Sequence, residues 1–138
     1  MVNRYINDWG ILRIVKYIEI LDQLFEPAYI IDDKQKILFW NKAADKLTGY
    51  DAKSVMGKNC SLSEIVHTNE SGEKLCLDQC PFQELLDKGK VSEHNLFLSH
   101  KTGYRIPISL RMVPIFNQNK KIIGATNITL SSRSSTPP

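Results

Sequence analysis

The sequence has no long uninterrupted apolar run, although 42% of its 138 residues are hydrophobic. A helix that crosses a membrane needs about 20 consecutive, predominantly apolar residues. The most hydrophobic segment lies near the N-terminus and is broken by six charged residues: Arg4, Asp8, Arg13, Lys16, Glu19 and Asp22. We therefore expect a soluble fragment that makes no membrane contact of its own.

Neither sign of charge dominates, and cysteine is scarce. The 18 basic and 15 acidic residues are interspersed and leave a net charge of +3, so no basic face predicts direct binding to nucleic acid. The three cysteines cannot all pair with one another. Because no charged and then apolar leader precedes them, the sequence favours a reducing compartment, the cytoplasm.

Recognisable enzyme motifs are missing as well. The chain has no glycine-rich phosphate loop, no pair of carboxylates on a shared element and no nucleophile elbow. We expect a regulatory module whose catalytic partner, if there is one, is a separate domain.

Residues 1–25 are predicted to form an amphipathic N-terminal helix. Apolar residues recur there at spacings of three and four, at Ile11, Ile14, Ile18, Leu21 and Phe25. Such a stripe folds back onto its own domain or pairs with a second chain in a coiled coil. Further apolar residues on other faces, including Trp9, Leu12 and Val15, favour contact with both. The helix is therefore a candidate signalling and homodimerisation element.

The rest of the chain predicts an α+β fold with a five-stranded antiparallel sheet. Two strands, at 28–32 and 36–40, precede a group of short helices, and three strands follow at 91–100, 104–116 and 121–130. Ile106, Ile108 and Leu110 alternate with polar residues, which predicts that these three side chains share the buried face. The serine- and proline-rich residues 131–138 are predicted to be a disordered tail or linker.

The segment 39–60 carries the strongest local signals. Asn41 can cap a short helix that Gly49 ends in the left-handed conformation, and a second short helix spans about 51–56, with Gly57 ending it in the same way. The segment resembles the core of the PAS sensor family. The residues that carry this resemblance are Asn41, Ala44, Thr48, Gly49, Tyr50 and Gly57.

The resemblance implies a PAS sensor domain over residues 26–130, in which the sheet and the helices enclose a small pocket. Ile106, Ile108 and Leu110 would then line a wall of that pocket. It also implies a sensory module of a bacterial signalling protein, joined to a histidine kinase, a diguanylate cyclase or a transcription regulator. The alternative is a ligand-free PAS scaffold that serves protein contacts alone.

Three cysteines and one histidine form the candidate metal site. Cys60, Cys76, Cys80 and His67 could complete a tetrahedral zinc site or hold an iron–sulfur cluster. The Cys-x3-Cys spacing of the last two cysteines is not a zinc knuckle, and buried free thiols are the other interpretation. The chain is also similar to a subset of bacterial PAS domains that contain the motifs Gly-Lys-x-Cys and Leu-Cys-x3-Cys-Pro. This resemblance does not identify a ligand.

Flavin and haem are two further candidate cofactors. Gly57, Asn59 and Cys60 resemble the Gly-x-Asn-Cys of flavin-binding light sensors, but the arginine expected next is absent, and apolar Leu98 and Ile108 stand where asparagines are expected. His94 and His100 share one side of a predicted strand and could face a haem. No haem-attachment motif accompanies them.

Overall fold

The computed structural model describes residues 11–59, 67–75 and 80–130. In chain order the elements are α1 (Ile11–Asp22), β1 (Ala28–Asp32), β2 (Ile37–Trp40), α2 (Lys42–Thr48), α3 (Ala52–Val55), β3 (His67–Thr68), α4 (Pro81–Lys88), β4 (Ser92–Ser99), β5 (Arg105–Phe116) and β6 (Ile122–Leu130). Residues 1–10 of the predicted helix and the predicted tail 131–138 lie outside the described residues. Within the described ranges, no helix is both long and apolar enough to cross a membrane.

The strands form one antiparallel sheet in the order β2-β1-β6-β5-β4-β3. The prediction of five strands is therefore wrong by one, because the two-residue β3 pairs with Phe97 and Leu98 of β4. So short a strand shows no alternation of apolar and polar residues. Its following turn is held by Arg105, whose guanidinium donates to the carbonyl oxygens of Asn69 at 2.7 Å and Glu70 at 3.1 Å.

The main core lies between the inner face of the sheet and the helices α2, α3 and α4. Ile108 and Leu110 are buried on β5 as predicted, and Ile106 is half-buried against the same cluster. From the helical side, α4 contributes Phe82 and Leu85, which are at most 2% exposed. Removing these apolar side chains from water is the main stabilising contribution to this layer.

Helix α1 covers part of the outer face of the sheet. Leu21 packs there against Ala28 and Ile30 of β1. The prediction that Phe25 continues the apolar stripe is wrong, because α1 ends at Asp22 and Phe25 is 95% exposed. Beyond the last helical turn, a spacing of four residues no longer places two side chains on the same face.

Asn41 joins three elements through its buried side chain. Its Oδ1 accepts from the backbone N–H of Ala44, which caps α2, and from the N–H of Ala28 at the start of β1. Its Nδ2 donates to the carbonyl oxygens of Leu21 in α1 at 2.8 Å and of Glu26 at 3.1 Å. The predicted cap is confirmed, and so is Gly49, which ends α2 at a φ of 81°.

Replacing Asn41 is expected to destabilise the fold. Asn41→Ala removes four hydrogen bonds and leaves buried backbone groups without partners, so the free energy of unfolding should fall by roughly 3 kcal/mol or more. Urea unfolding measures the change. Asn119→Ala, at an exposed turn position, is the control and should change stability little. Equal stability of the two variants would contradict this role of Asn41.

Candidate functional site

A buried hydrogen bond between β1 and β3 closes the inner face of the sheet. The hydroxyl of Tyr29 lies 2.9 Å from Nε2 of His67, and both residues are buried. Three strands separate β1 from β3 in the sheet order, which in a flat sheet would place them about 19 Å apart. A tyrosine side chain cannot reach that far, so the sheet is strongly curled around its inner face.

His67 is held in its neutral form at neutral pH. Burial, and secondarily the nearby His94, lowers the pKa of the His67 imidazole from its ordinary value of 6.5 to about 4. The Tyr29 ring, 6.4 Å from the His67 ring between centroids, also packs on Trp40 at 5.1 Å. The site therefore combines an apolar aromatic wall with an uncharged polar group.

The two histidines proposed to face a haem lie in different surroundings. His94 is half-buried on β4, with Nε2 at 2.9 Å from the Ser92 hydroxyl and 3.6 Å from a carboxylate oxygen of Glu84 on α4. His100 follows the end of β4, where its ring stacks on Tyr104 at 4.3 Å between centroids. It shares no described polar partner with His94.

Two inner-face residues were not identified from the sequence. Asn127 and Thr129 lie two residues apart on β6, and the register places Asn127 opposite Tyr29 and Met112, and Thr129 opposite Leu110. The strand segment from Ile123 to Asn127 is buried throughout, so it shows no alternation that would assign its faces. Only the pairing of β6 with its neighbours shows which polar side chains point inward.

The four proposed metal ligands cannot be compared as a set, because Cys60 and Cys76 lie outside the described residues. Cys80 has a free, half-buried thiol just before α4. His67 already uses Nε2 in its contact with Tyr29. Among the residues that the structure describes, no three histidine, cysteine or acidic side chains are grouped closely enough to hold a metal ion. The site at Cys60, Cys76, Cys80 and His67 stays a prediction.

An open groove of about 830 Å³ runs between α4 and the first part of β4, ahead of the residues that pair with β3. Its lining is mainly polar and includes Glu84, Asp87, Lys88, Glu93 and His94. Ile106, Ile108 and Leu110, the predicted pocket wall, do not line this groove. They face the enclosed layer between the sheet and the helices, where Leu98 is buried too.

A family model described as a PAS domain matches residues 26–129. No protein with a curated description matches the chain by sequence. The fold is similar to a PAS domain from Colwellia psychrerythraea, with 19% identity over 88% of this chain and 98% of that chain, and a TM-score of 0.70.

Two other solved structures are similar. A PAS domain of a two-component sensor histidine kinase shares 12% identity over 88% of this chain and 97% of that one, with a TM-score of 0.65. The Rhodobacter sphaeroides LOV protein shares 15% identity over 90% of this chain and 70% of that one, with a TM-score of 0.70. At these identities the structural likenesses establish the fold.

The lowered pKa of His67 predicts a loss of stability in mild acid. Since its folded-state pKa of about 4 lies below the ordinary 6.5, the unfolded chain binds more protons between these pH values. The stabilisation is complete above pH 6.5 and is lost as the pH falls toward 4, by about 3 kcal/mol in total.

Urea unfolding across this pH range measures the effect. His67→Gln should flatten the pH dependence, because glutamine does not titrate, and His100→Gln controls for the loss of an imidazole outside the core. An NMR titration that placed the imidazole of His67 near its ordinary pKa in the folded protein would refute this prediction.

Proposed function

The chain belongs to the PAS domain family, and on that premise we propose that it is the sensory module of a bacterial signalling protein. The observation that carries this proposal is the family match, which spans β1 to β5 and all but the last residue of β6. In this proposal a small molecule binds between the inner face of the sheet and the helices, and its binding alters the contacts of the sheet with α1.

The inner layer suits a small, mostly apolar ligand with a few polar atoms. Ile106, Ile108 and Leu110 would form one apolar wall, and the aromatic rings of Tyr29 and Trp40 another. Binding sites for small molecules are typically lined by apolar and aromatic side chains with a small number of placed polar groups. The His67 imidazole and the Tyr29 hydroxyl would supply such groups.

The output would pass through α1 to an effector in a longer protein. Leu21 packs beneath β1, and its carbonyl oxygen accepts from Asn41, so the end of α1 is tied to the sensor layer. One similar fold comes from a two-component sensor histidine kinase. We propose a cytoplasmic position and a kinase, diguanylate cyclase or transcription-regulating partner domain.

A bulky substitution on the inner face should empty the site. Ile108→Trp fills space in the enclosed layer, so small molecules that copurify with the unmodified protein should be lost. Solvent extraction followed by mass spectrometry detects them, and circular dichroism confirms the fold. The matched control is Pro107→Trp, which adds the same ring to the exposed outer face of β5.

Recovery of the same molecules from Ile108→Trp would place the binding site elsewhere. Absence of any bound molecule in the unmodified protein would favour the alternative, a PAS scaffold for protein contacts.

Two exposed apolar side chains favour a homodimer formed through the N-terminal helix. Ile20 on α1 is 61% exposed and Phe25, just beyond it, is 95% exposed, although neighbouring Leu21 is buried against the sheet. Removing side chains of this size from water is worth about 1.5–3 kcal/mol each. A second copy of the chain would cover both residues and place two sensor layers side by side.

The double variant Ile20→Ser, Phe25→Ser should shift the protein from dimer to monomer, because it removes the apolar surface that pairing would bury. Sedimentation velocity at about 100 μM detects an association with a Kd of that order. Lys16→Ser, which changes an exposed residue of the same helix, is the control. A monomeric unmodified protein at this concentration would exclude the helix as a dimer interface.

A further inference from the structure

Asn127 points into the enclosed layer from the middle of the sheet. Its cross-strand partners are Tyr29 on β1 and Met112 on β5, and both belong to the inner core cluster. Residues that lie directly opposite each other in antiparallel strands share a face of the sheet. The side chain of Asn127 is 0% exposed, so it has no contact with solvent.

The amide of Asn127 has no hydrogen-bond partner within the described part of the chain. Both Oδ1 and Nδ2 are buried and unpartnered, and so is the hydroxyl of Thr129, two residues further along the same face. Buried polar groups in folded proteins are almost always paired, and an unpaired one lowers stability. Two neighbouring inner-face residues therefore leave three polar atoms unused.

A second buried asparagine shows that this fold can satisfy such a side chain completely. Asn41 is also 0% exposed, yet its amide makes four hydrogen bonds to backbone groups. Asn41 thus contributes to stability, whereas the unpartnered amide of Asn127 opposes it. Polar groups that lower the stability of a fold and have no structural role in it are typical of binding sites.

We propose that Asn127 and Thr129 are the ligand-recognition residues of the inner layer, and that they bind a neutral molecule with a lactam edge. A lactam presents an N–H beside a C=O, which matches the acceptor and donor of one carboxamide. The Thr129 hydroxyl would donate to the second lone pair of the same ligand C=O. This inference rests on the proposed sensory function and names the class of molecule that the module would bind.

The surroundings favour a flat, uncharged ligand. Trp40, Tyr29, Asn127 and Met112 form one continuous cross-strand row, so the amide lies between an aromatic and an aliphatic neighbour. None of these four side chains carries a charge that could pair with an ion. A charged ligand would have to shed its hydration without compensation.

Binding at Asn127 requires the enclosed layer to open. Because the amide is 0% exposed, a ligand can reach it only if the helices move away from the sheet. The free energy gained by pairing the amide would then favour the opened arrangement, which is how a ligand shifts a conformational equilibrium.

NMR with two matched fragments tests the recognition. 1(2H)-Isoquinolinone has the lactam edge, and N-methyl-1(2H)-isoquinolinone has the same ring system with the N–H blocked. Titration of each into the 15N-labelled full chain at millimolar concentration should shift the side-chain amide signals of Asn127 with the first fragment alone. Thr129→Val, which removes the hydroxyl with little change in shape, should weaken binding several-fold, and Asn127→Leu should abolish the selectivity.

Thermal unfolding supplies an independent readout. Asn127→Leu replaces an unpartnered amide with an apolar group of similar size, so the unfolding midpoint should rise by several degrees. Asn41→Leu is the matched control and should lower it. A lowered midpoint for Asn127→Leu would overturn the proposal, because it would show that the amide stabilises the fold.

Equal responses to the two fragments, or no shift of the Asn127 amide by either, would likewise overturn it. The proposed sensory function fails by a different result. If molecules copurify with the unmodified protein and are lost from Ile108→Trp, the interior is a binding site even where lactam recognition is refuted. If nothing binds the interior at all, both proposals fall.

Discussion

The hydrogen bond between Tyr29 and His67 is the contact on which the shape of the inner face depends. It joins the second strand of the sheet to its last strand, across the faces of the three strands between them. Every antiparallel sheet is twisted, but twist alone does not bring two strands into contact when three other strands lie between them. The curl converts one face of the sheet into a concave wall that the helices cover.

The same closure explains why a short strand matters. Strand β3 has two residues and two paired positions, so it adds little to the ladder by itself. Its position is set from both sides, since His67 contacts Tyr29 inside the layer and Arg105 holds the following turn from outside. The Arg105 guanidinium also lies 4.6 Å from the centre of the Phe97 ring, on the strand that β3 pairs with.

Local signals in the sequence predicted most of the fold because they depend on neighbouring residues only. Asn41 and Gly49 mark the two ends of α2, and the alternation through Ile108 and Leu110 gives the inner face of β5.

The missed features depend on contacts between distant residues. Strand β3 has no pattern of its own, Phe25 follows the end of its helix, and the inward direction of Asn127 is fixed by the register with β1 and β5. The sequence predicted the candidate site as an apolar wall and named His67 only as a metal ligand, because the polar atoms of the site lie on the strands whose pattern is least informative.

The four hydrogen bonds of Asn41 also constrain how the molecule can move. One small amide fixes the end of α1, the first residue of β1 and the first turn of α2 to a common point. Hydrogen bonds weaken steeply when their geometry is distorted, so none of these three segments can be displaced alone without losing its bond to the Asn41 side chain. A rearrangement of the helical layer that moves α2 must therefore either move the last turn of α1 as well or break the hydrogen bond between Asn41 and α1. The Asn41 side chain therefore couples motion of α2, which covers the inner face of the sheet, to motion of the C-terminal end of α1.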